Sequence, residues 1–293
     1  MEGNAVSVTA AQDDIANAQG GLPVRMVDKP WGVTHLPAPF VTPRDEQGAG
    51  RRIGEMWFEP PAALPQLLVK YIFTSDKLSV QVHPSDTQTL AMGLGKQGKE
   101  ECWLVLATEP GAQLGIGFRE EIDRETMRAA ALDGSIEGMM VWHDVVPGDF
   151  FYIPANTVHA IGAGVTVMEV QQNSDITYRL YDYGRPRELH LDESIAVAKA
   201  GVYDLARWHR RLGADESVGL VDGPYFRLDR VAGLAADGLA QRYGEGALLV
   251  APLSGEIVVD GAVVAPGGCA LASGFGAVRF ADDGVVLLAQ PLD

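Results

Sequence analysis

The chain has 293 residues, of which 47% are hydrophobic and 21% are charged, an ordinary composition for a globular protein of one large or two moderate domains. Its 39 acidic residues outnumber its 23 basic residues and give a formal net charge of −16 at pH 7. That charge argues against a nucleic-acid-binding protein, which needs a basic surface, and any anionic ligand would need a local cluster of cations.

The sequence carries no sign of export or of membrane insertion. Cys102 and Cys269 form neither a disulfide framework nor a metal-binding pair. Residues 1–20 lack the basic start and apolar core of a signal peptide, and no apolar run is long enough to span a bilayer. We therefore expect a soluble, cytoplasmic protein that binds neither nucleic acid nor membranes.

The first part of the chain reads as a leader followed by many short strands. Residues 1–21 are rich in Ala, Asp and Gln without an apolar period, which predicts a mobile leader. From there to about residue 190, short apolar runs alternate with turns containing Gly and Pro, a pattern typical of a β-barrel or jelly roll. Residues 119–132 carry apolar residues at helical spacing and predict an amphipathic helix, within an insertion near residues 119–140.

The stretch LSVQVHPSD (78–86) alternates apolar and polar residues, which indicates a half-buried strand. Ser79, Gln81 and His83 share one face of that strand because successive side chains point to opposite sides. Pro84 ends the strand, since it has no N–H to donate. A polar face of this kind either lies on an exposed edge or binds a ligand.

Two later segments carry polar side chains in similar positions. Residues 99–106 alternate so that Lys99, Glu101 and Trp103 share a face, and His159 follows a turn after another strand. Three strands thus offer nitrogen and oxygen donors, namely Gln81, His83, Glu101 and His159. Such donors suit Zn²⁺, Mn²⁺ or Fe²⁺. Spacing alone leaves two interpretations open: a metal site, or polar residues whose hydrogen bonds are satisfied within the fold.

The last hundred residues predict a second β-rich unit. A helix near residues 192–199 begins this half, and residues 225–293 return to strand patterns. The turn and strand at residues 266–272 repeat those at residues 147–153, so we expect a second barrel related to the first. No histidine follows His209, so we expect no metal in that barrel. The predicted domains are residues 22–190 and residues 191–293.

Four runs carry a family resemblance: LSVQVHPSD (78–86), GKEECWLVL (98–106), PGDFFYIPANTVHAIG (147–162) and EVQQNSDITYRLYDYGR (169–185). In order and approximate spacing they resemble the short bacterial form of the type I mannose-6-phosphate isomerases, a family within the cupin superfamily. The resemblance covers roughly residues 28–200 and is weak in the last hundred. It implies a mostly β fold, namely a cupin jelly-roll barrel with a helical insertion and a second, degenerate C-terminal cupin-like barrel.

The resemblance also implies roles for individual residues. One zinc ion per chain would be held by Gln81, His83, Glu101 and His159. The catalytic residues would be Arg179, Lys99 and Glu169, and the substrate-binding residues would be Ser79 and Lys70. Lys99 and Glu169 both remain candidates for the proton-transferring base. Asn156 stands where the family commonly has Gly. This change is tolerated because Asn, like Gly, can adopt left-handed backbone angles.

The implied activity is a zinc-dependent aldose–ketose isomerisation between mannose 6-phosphate and fructose 6-phosphate through a cis-enediol(ate), by a monomer or homodimer. A redox-silent Lewis acid that contacts the substrate oxygens stabilises the oxyanion that develops in such a reaction. Two alternatives are a catalytically silent sugar-binding cupin and a metal-dependent cupin acting on another small substrate. The former would be expected to have lost Arg179 or a ligand, and the latter usually has His where this chain has Gln81.

Several remaining residues receive plainer interpretations. His143 is expected to be a barrel histidine paired with Asp144, and Cys102 is expected to pack in the core because it alternates away from Glu101. Arg185 and Arg187 either assist Arg179 with a phosphate or lie in a solvated loop.

Overall fold

The computed structural model describes residues 20–292, and within them the chain is mostly β-structure, as the sequence predicts. All but the last two residues of the predicted leader lie outside the described residues. Within the described part of the chain, no helix is both long and apolar enough to cross a membrane.

Residues 24–211 form two facing sheets with helices at their edges. The strands are β1 (Val24–Val33), β2 (Ile53–Phe58), β3 (Leu67–Phe73), β4 (Val80–Val82), β5 (Glu101–Thr108), β6 (Gln113–Phe118), β7 (Met140–Asp144), β8 (Asp149–Ile153), β9 (His159–Ile161), β10 (Val165–Gln172), β11 (Tyr178–Tyr181) and β12 (His209–Arg211). The helices are α1 (Asp86–Ala91), α2 (Arg124–Asp133), α3 (Ile136–Met139), α4 (Leu191–Val197) and α5 (Leu205–Trp208).

The strands pair into a seven-stranded sheet and a five-stranded sheet. The seven-stranded sheet, here called the large N-terminal sheet, has the order β1-β2-β3-β10-β5-β8-β12. The small N-terminal sheet has the order β11-β4-β9-β6-β7. The two sheets face each other, because side chains from both, such as Phe151 and Ile116, form one buried apolar cluster.

Residues 218–291 form a second pair of sheets. Their strands are β13 (Val218–Asp222), β14 (Phe226–Ala232), β15 (Leu248–Ser254), β16 (Ile257–Val259), β17 (Ala262–Val264), β18 (Ala270–Ala272), β19 (Val278–Arg279) and β20 (Val285–Pro291), with α6 (Leu239–Tyr243) and a short 3-10 helix at Phe275–Ala277. The large C-terminal sheet has the order β13-β14-β20-β15-β18, and the small one has the order β17-β16-β19.

Alternation along the large N-terminal sheet separates an apolar face from a mixed one. On β3, Val69, Tyr71 and Phe73 enter a core shared with the large C-terminal sheet. Lys70, between them in sequence, points to the opposite face, toward the small N-terminal sheet. Cys102 joins the same shared core, which confirms its predicted packing role. One face of the sheet is therefore core, and the other carries the polar residues of interest.

The predicted helical insertion is present between β6 and β7. Helix α2 begins at Asp123, whose side chain accepts a hydrogen bond from the Thr126 N–H (2.7 Å) and satisfies one free donor of the first turn. The helix ends at Gly134, whose φ of 84° is the left-handed conformation that glycine adopts without strain. Met127 lies on the buried face of the helix, so the amphipathic pattern of the sequence is confirmed.

A division of the chain after residue 190, with a second, degenerate cupin-like domain in residues 191–293, stays a prediction. Helix α4 and strand β12 come after that position, yet α4 contacts β11 and β12 pairs with β8 of the first half. The two turns thought to be related are similar: Gly148 and Gly267 have φ of 92° and 87°, and each precedes a strand of a large sheet.

Candidate metal centre and adjoining pocket

Three potential metal ligands meet between the two N-terminal sheets. One nitrogen or oxygen atom from each of His83, Glu101 and His159 lies within 4.8 Å of the others, and each residue is 1% exposed. His83 directly follows β4, and Glu101 and His159 begin β5 and β9. The two N-terminal sheets therefore bring together three of the four predicted ligands, from the ends of three separate strands.

The backbone fixes which ring nitrogen of each histidine faces this cluster. Nδ1 of His83 lies 2.8 Å from the carbonyl oxygen of Ile176, and Nδ1 of His159 lies 2.9 Å from that of Thr157. A carbonyl oxygen only accepts, so each Nδ1 carries the proton and each Nε2 presents a lone pair. Burial lowers the pKa of both rings, and for His83 the Lys99 charge lowers the pKa further. Both imidazoles are therefore neutral at neutral pH, as metal ligation requires.

Glu101 completes a donor set that fits a divalent cation. Burial alone would raise the pKa of its carboxyl, but the charge of Lys99, together with that of Lys70, outweighs burial and lowers it. Oε2 of Glu101 lies 3.5 Å from Nε2 of His83, and Oε1 lies 3.3 Å from Nε2 of His159. Neither oxygen accepts a hydrogen bond of regular geometry from the described residues, although Nζ of Lys99 is 2.9 Å away. Two lone pairs and a carboxylate facing one another favour a positive ion.

Gln81 can supply the fourth donor. It lies opposite His159 in the β4–β9 pair, with its Nε2 3.3 Å from Nε2 of His159, and Ser79 Oγ donates to its Oε1 (3.3 Å). The two ends of a carboxamide are assigned from their surroundings, so the amide can equally be turned over. Its oxygen then faces the cluster, and its NH₂ can donate to Ser79 Oγ.

A small cavity lined mainly by charged and polar side chains adjoins the cluster. The predicted catalytic and substrate-binding residues all line it: Ser79, Lys70, Lys99, Glu169 and Arg179. The other lining residues are Gln81, Lys29, Trp31, Glu55, Ile72, Leu78, Ile161, Thr177 and Arg187. The structure thus gathers every candidate site residue of the sequence analysis around one cavity and its buried neighbour cluster.

The pocket wall contains a row of alternating buried charges. Nζ of Lys70 lies 2.9 Å from Oε1 of Glu169, and Nζ of Lys99 lies 3.7 Å from the same oxygen. The indole N–H of Trp103 donates to Oε2 of Glu169 (3.0 Å). Burial would lower the pKa of Lys70, but the Glu169 and Glu55 carboxylates raise it above its ordinary value. Lys70 therefore stays an ammonium ion at neutral pH.

Among the described residues, Arg179 is the pocket cation without a carboxylate within ion-pair distance, whereas each of the other pocket cations has one. It lies opposite Gln81 in the β11–β4 pair, and its buried Nε finds no hydrogen-bond acceptor in the described structure. Burial and the nearby Arg187 lower its pKa against the opposing effect of Asp182. Arg187, in contrast, donates twice to the Asp182 carboxylate (2.6 Å and 2.7 Å). The Arg179 guanidinium is therefore the group most available to an incoming anion.

Sequence reasoning missed two residues of the pocket wall. Nζ of Lys29 on β1 lies 3.4 Å from Oε1 of Glu55 on β2, and the indole N–H of Trp57 donates to Oε2 of Glu55 (2.7 Å). A carboxylate within the apolar run GEMWFE (54–59) was the available signal. Of the two arginines left open, Arg187 lines the pocket, whereas Arg185 donates to Asp182 (3.0 Å) and is not part of the lining.

The expected pairing of His143 with Asp144 is wrong. The Asp144 carboxylate accepts a hydrogen bond from Gln113 (2.8 Å), and Nε2 of His143 is buried without a partner among the described residues. Both residues belong to β7, and neighbours in a strand point to opposite faces. An adjacent pair in such a strand cannot form the contact that the sequence suggested.

Comparison with known proteins gives a consistent picture. No family model matches the chain. A mannose-6-phosphate isomerase of Streptococcus mutans is 38% identical over 192 residues, which are 63% of this chain and 59% of that protein. A Bacillus subtilis protein named "probable mannose-6-phosphate isomerase GmuF" is 32% identical over 230 residues, 73% of this chain and 72% of its own length. Of these two relatives, the Streptococcus protein is matched over less than two thirds of its own length.

Solved structures agree on the fold. The crystal structure of a mannose 6-phosphate isomerase from Bacillus subtilis superposes with a TM-score of 0.74 at 22% identity, covering 93% of this chain and 100% of that chain. A single-residue variant of a phosphomannose isomerase from Salmonella typhimurium superposes with a TM-score of 0.69 at 14% identity, covering 94% and 100%. At these identities the structures establish the architecture of the chain.

Proposed function

The chain belongs to the mannose-6-phosphate isomerase family, and from that premise we propose that it interconverts mannose 6-phosphate and fructose 6-phosphate. The observation that carries the proposal is a buried cluster of two neutral imidazoles and a carboxylate next to a cavity lined by cations. In a chain of net charge −16, such a local group of cations is what a sugar phosphate would require.

We propose that one zinc ion per chain is held by Gln81, His83, Glu101 and His159. The two imidazoles, the carboxylate and the amide oxygen are hard or borderline donors of the kind zinc accepts, and the cavity adjoins them. When bound, zinc would supply a Lewis acid that polarises the substrate carbonyl and hydroxyl oxygens without redox chemistry.

The cations of the pocket would bind and orient the substrate. Arg179 has no carboxylate partner among the described residues and can offer its full charge to the phosphate or to the enediolate. Lys70 keeps its charge because Glu169 and Glu55 raise its pKa, so it would donate hydrogen bonds rather than accept a proton. Ser79 Oγ lies at the pocket wall next to Gln81 and could contact a substrate oxygen.

The contacts of the two base candidates favour Glu169 as the proton acceptor. Nζ of Lys99 lies 2.9 Å from the Glu101 carboxylate and 3.7 Å from Glu169, which suits a hydrogen-bond donor. Glu169 is held by Lys70 and Trp103 at the pocket wall, with Oε1 free of a regular hydrogen bond from the described residues. A carboxylate oxygen fixed in this way can carry a proton between C1 and C2.

The test is a coupled assay for fructose 6-phosphate formed from mannose 6-phosphate, before and after chelation and after zinc is restored. Activity that is lost on chelation and returns with zinc would support both the reaction and the metal. A folded, zinc-loaded protein without activity would contradict the isomerase assignment and would favour a sugar-binding cupin. The cytoplasmic location and the monomer or homodimer state remain predictions, and size-exclusion chromatography would decide the latter.

A further inference from the structure

Asn156 lies in the turn between β8 and β9 in a conformation that few residues other than glycine adopt. Its φ is 75°, and its side chain is buried, with the residue 6% exposed. Asparagine adopts a left-handed backbone conformation at a small energetic cost, whereas alanine in the same conformation would be strained. Glycine would satisfy the backbone equally well, so any reason for a side chain here must lie in its contacts.

Those contacts join Asn156 to the residue that follows β4. The Asn156 backbone N–H donates to the carbonyl oxygen of His83 (2.8 Å), and its Nδ2 lies 3.3 Å from the same oxygen. The Nδ2 group also donates to Oε1 of Gln88 (2.6 Å). Gln88 Oε1 in turn accepts from the backbone N–H of Ser85 (2.9 Å) at the start of α1. One side chain thus ties the His83 backbone to the first turn of a helix.

The same turn orients the second histidine. Thr157, the next residue, provides the carbonyl oxygen that accepts the proton of His159 Nδ1 (2.9 Å). The carbonyl of Asn156 accepts from the backbone N–H of Lys199 (2.9 Å) and fixes the turn from its other side. The conformation of Asn156 therefore determines both where the His83 backbone lies and where the carbonyl that holds His159 points.

We propose that Asn156 is a positioning residue for the metal centre, whose side chain holds the His83 and His159 segments at the separation that ligation needs. The proposal rests on the zinc centre of the proposed function. Groups that orient metal ligands typically contribute 10–100-fold to metal affinity. The contribution of Asn156 comes from its Nδ2 donor, which glycine lacks.

The test compares zinc affinity in Asn156→Gly with that of the unchanged protein. Zinc is titrated against a chromophoric chelator, and the melting temperature of the zinc-free protein is measured in parallel. We expect N156G to bind zinc about tenfold or more weakly, because the backbone is accommodated but the Nδ2 contacts are lost. Zinc dissociation should accelerate by a similar factor.

Asp260→Gly is the matched control. Asp260 is another left-handed residue (φ 47°), and its side chain accepts hydrogen bonds from the N–H and hydroxyl of Ser273 (2.8 Å and 2.6 Å) among the C-terminal sheets. D260G should lower the melting temperature and leave zinc affinity unchanged. A loss of zinc affinity in both variants would mean that general destabilisation is responsible, and would overturn the proposal.

The outcomes separate this inference from the metal centre on which it rests. If the unchanged protein does not bind zinc, the proposed centre fails. If it binds zinc and N156G binds within twofold of it, the positioning role is overturned while the centre stands. Should N156G fail to fold, Gln88→Ala removes the acceptor of Nδ2 from outside the turn. It should weaken zinc binding in the same direction, and unchanged affinity would overturn the proposal.

Discussion

The N-terminal and the C-terminal pair of sheets have the same strand order but interiors of different polarity, since the N-terminal interior combines an apolar cluster with buried charged residues. The order β2-β3-β10-β5-β8 within the large N-terminal sheet corresponds, position by position, to β13-β14-β20-β15-β18 in the large C-terminal sheet. The small sheets correspond in the same way, β7-β6-β9 to β17-β16-β19. This shared order supports the predicted relation between the two halves beyond the single turn that suggested it.

The corresponding strands carry very different side chains. In the first half, β5 and β10 direct Glu101 and Glu169 into the interior, where Lys70 and Lys99 also lie. In the second half, the interior is an apolar cluster to which β15 and β20 contribute Leu248, Val250, Val286 and Leu288. The carboxylate buried there among the described residues is Asp229, and it is paired with Arg242 (2.8 Å) and Tyr243 (2.7 Å).

The contrast distinguishes an interior that stabilises the fold from one that carries the candidate site. Burying charged groups is costly unless they are paired, and even a paired set stabilises less than an apolar core of equal volume. The C-terminal interior has the composition expected of a purely structural core. The N-terminal interior retains ligands and cations at a cost in stability, which is understandable if they bind a metal and an anion.

The largest difference between the two interiors is expected when one buried acid in each is changed to its amide. Glu101→Gln removes the charged ligand, so we expect zinc binding to be lost and isomerase activity to fall about a thousandfold or more, since a metal supplies several kcal/mol to such a step. Zinc content by atomic absorption and the coupled assay measure both effects.

The matched change, Asp229→Asn, should act on stability alone. It weakens a buried charge-assisted pair with Arg242, and we expect a loss of about 1–3 kcal/mol in unfolding free energy. Zinc stoichiometry and activity should stay at the level of the unchanged protein. A large fall in zinc content in D229N would break the comparison between the two interiors.

Arg179→Met should separate anion binding from metal binding. The variant removes the cation that has no carboxylate partner among the described residues, and we expect kcat/KM to fall about 100- to 1,000-fold, as for other fixed electrostatic donors. Zinc affinity should change little.

Arg230→Met in the C-terminal half is the control. It removes a buried guanidinium that donates to the carbonyls of Ala214 (2.7 Å) and Glu216, and it should lower only the melting temperature. Equal kinetic losses in both would contradict a special role for Arg179.

The pH dependence of stability should also originate in the N-terminal interior. Burial lowers the pKa of His83 and His159 below the ordinary 6.5, so the unfolded chain binds protons first as the pH falls. In zinc-free protein, stability should therefore be complete above about pH 6.5 and decline below it, by at most about 1.4 kcal/mol per pH unit for each histidine. Urea unfolding from pH 5 to 8 measures this decline.

His83→Gln provides the comparison for that experiment. It removes one titrating group, so the slope between pH 5 and 6.5 should decrease. Glu101, whose pKa is lowered from 4.5, contributes only at still lower pH and does not obscure the effect. The C-terminal sheets contain no histidine and cannot produce the decline. An unchanged slope in H83Q would place its origin elsewhere.

Local patterns predicted much of the fold and most of the candidate site. Alternation placed Ser79, Gln81 and His83 on one face, and the structure puts them beside one cluster and pocket. Pairing between distant strands was not predictable, because register depends on contacts that no single segment encodes. Glu169 thus meets Lys70 directly across β10 and β3. The identity of the ligands came from the family resemblance, since spacing alone left a structural interpretation open.

Lys29 is one of the two pocket residues that the sequence analysis missed, and its removal should have the smallest effect. Its side chain is 28% exposed and already paired with Glu55, so it contributes a partly screened charge. We expect Lys29→Met to raise KM for mannose 6-phosphate about three- to tenfold at low ionic strength, with kcat and zinc affinity nearly unchanged. The difference from the unchanged protein should shrink in about 0.5 M salt, where charges a few ångströms apart are screened.

Lys96→Met, on the exposed loop after α1, removes the same charge away from the pocket and should leave KM unaltered. An equal rise in KM for both variants would mean that the acidic chain attracts its substrate through its net charge rather than through the pocket cations. A rise in KM confined to K29M would mean that the pocket cations that bind the substrate include Lys29 on β1. The sequence pattern of that strand did not predict such a role. The polar interior would then begin at the edge of the large N-terminal sheet rather than at its centre.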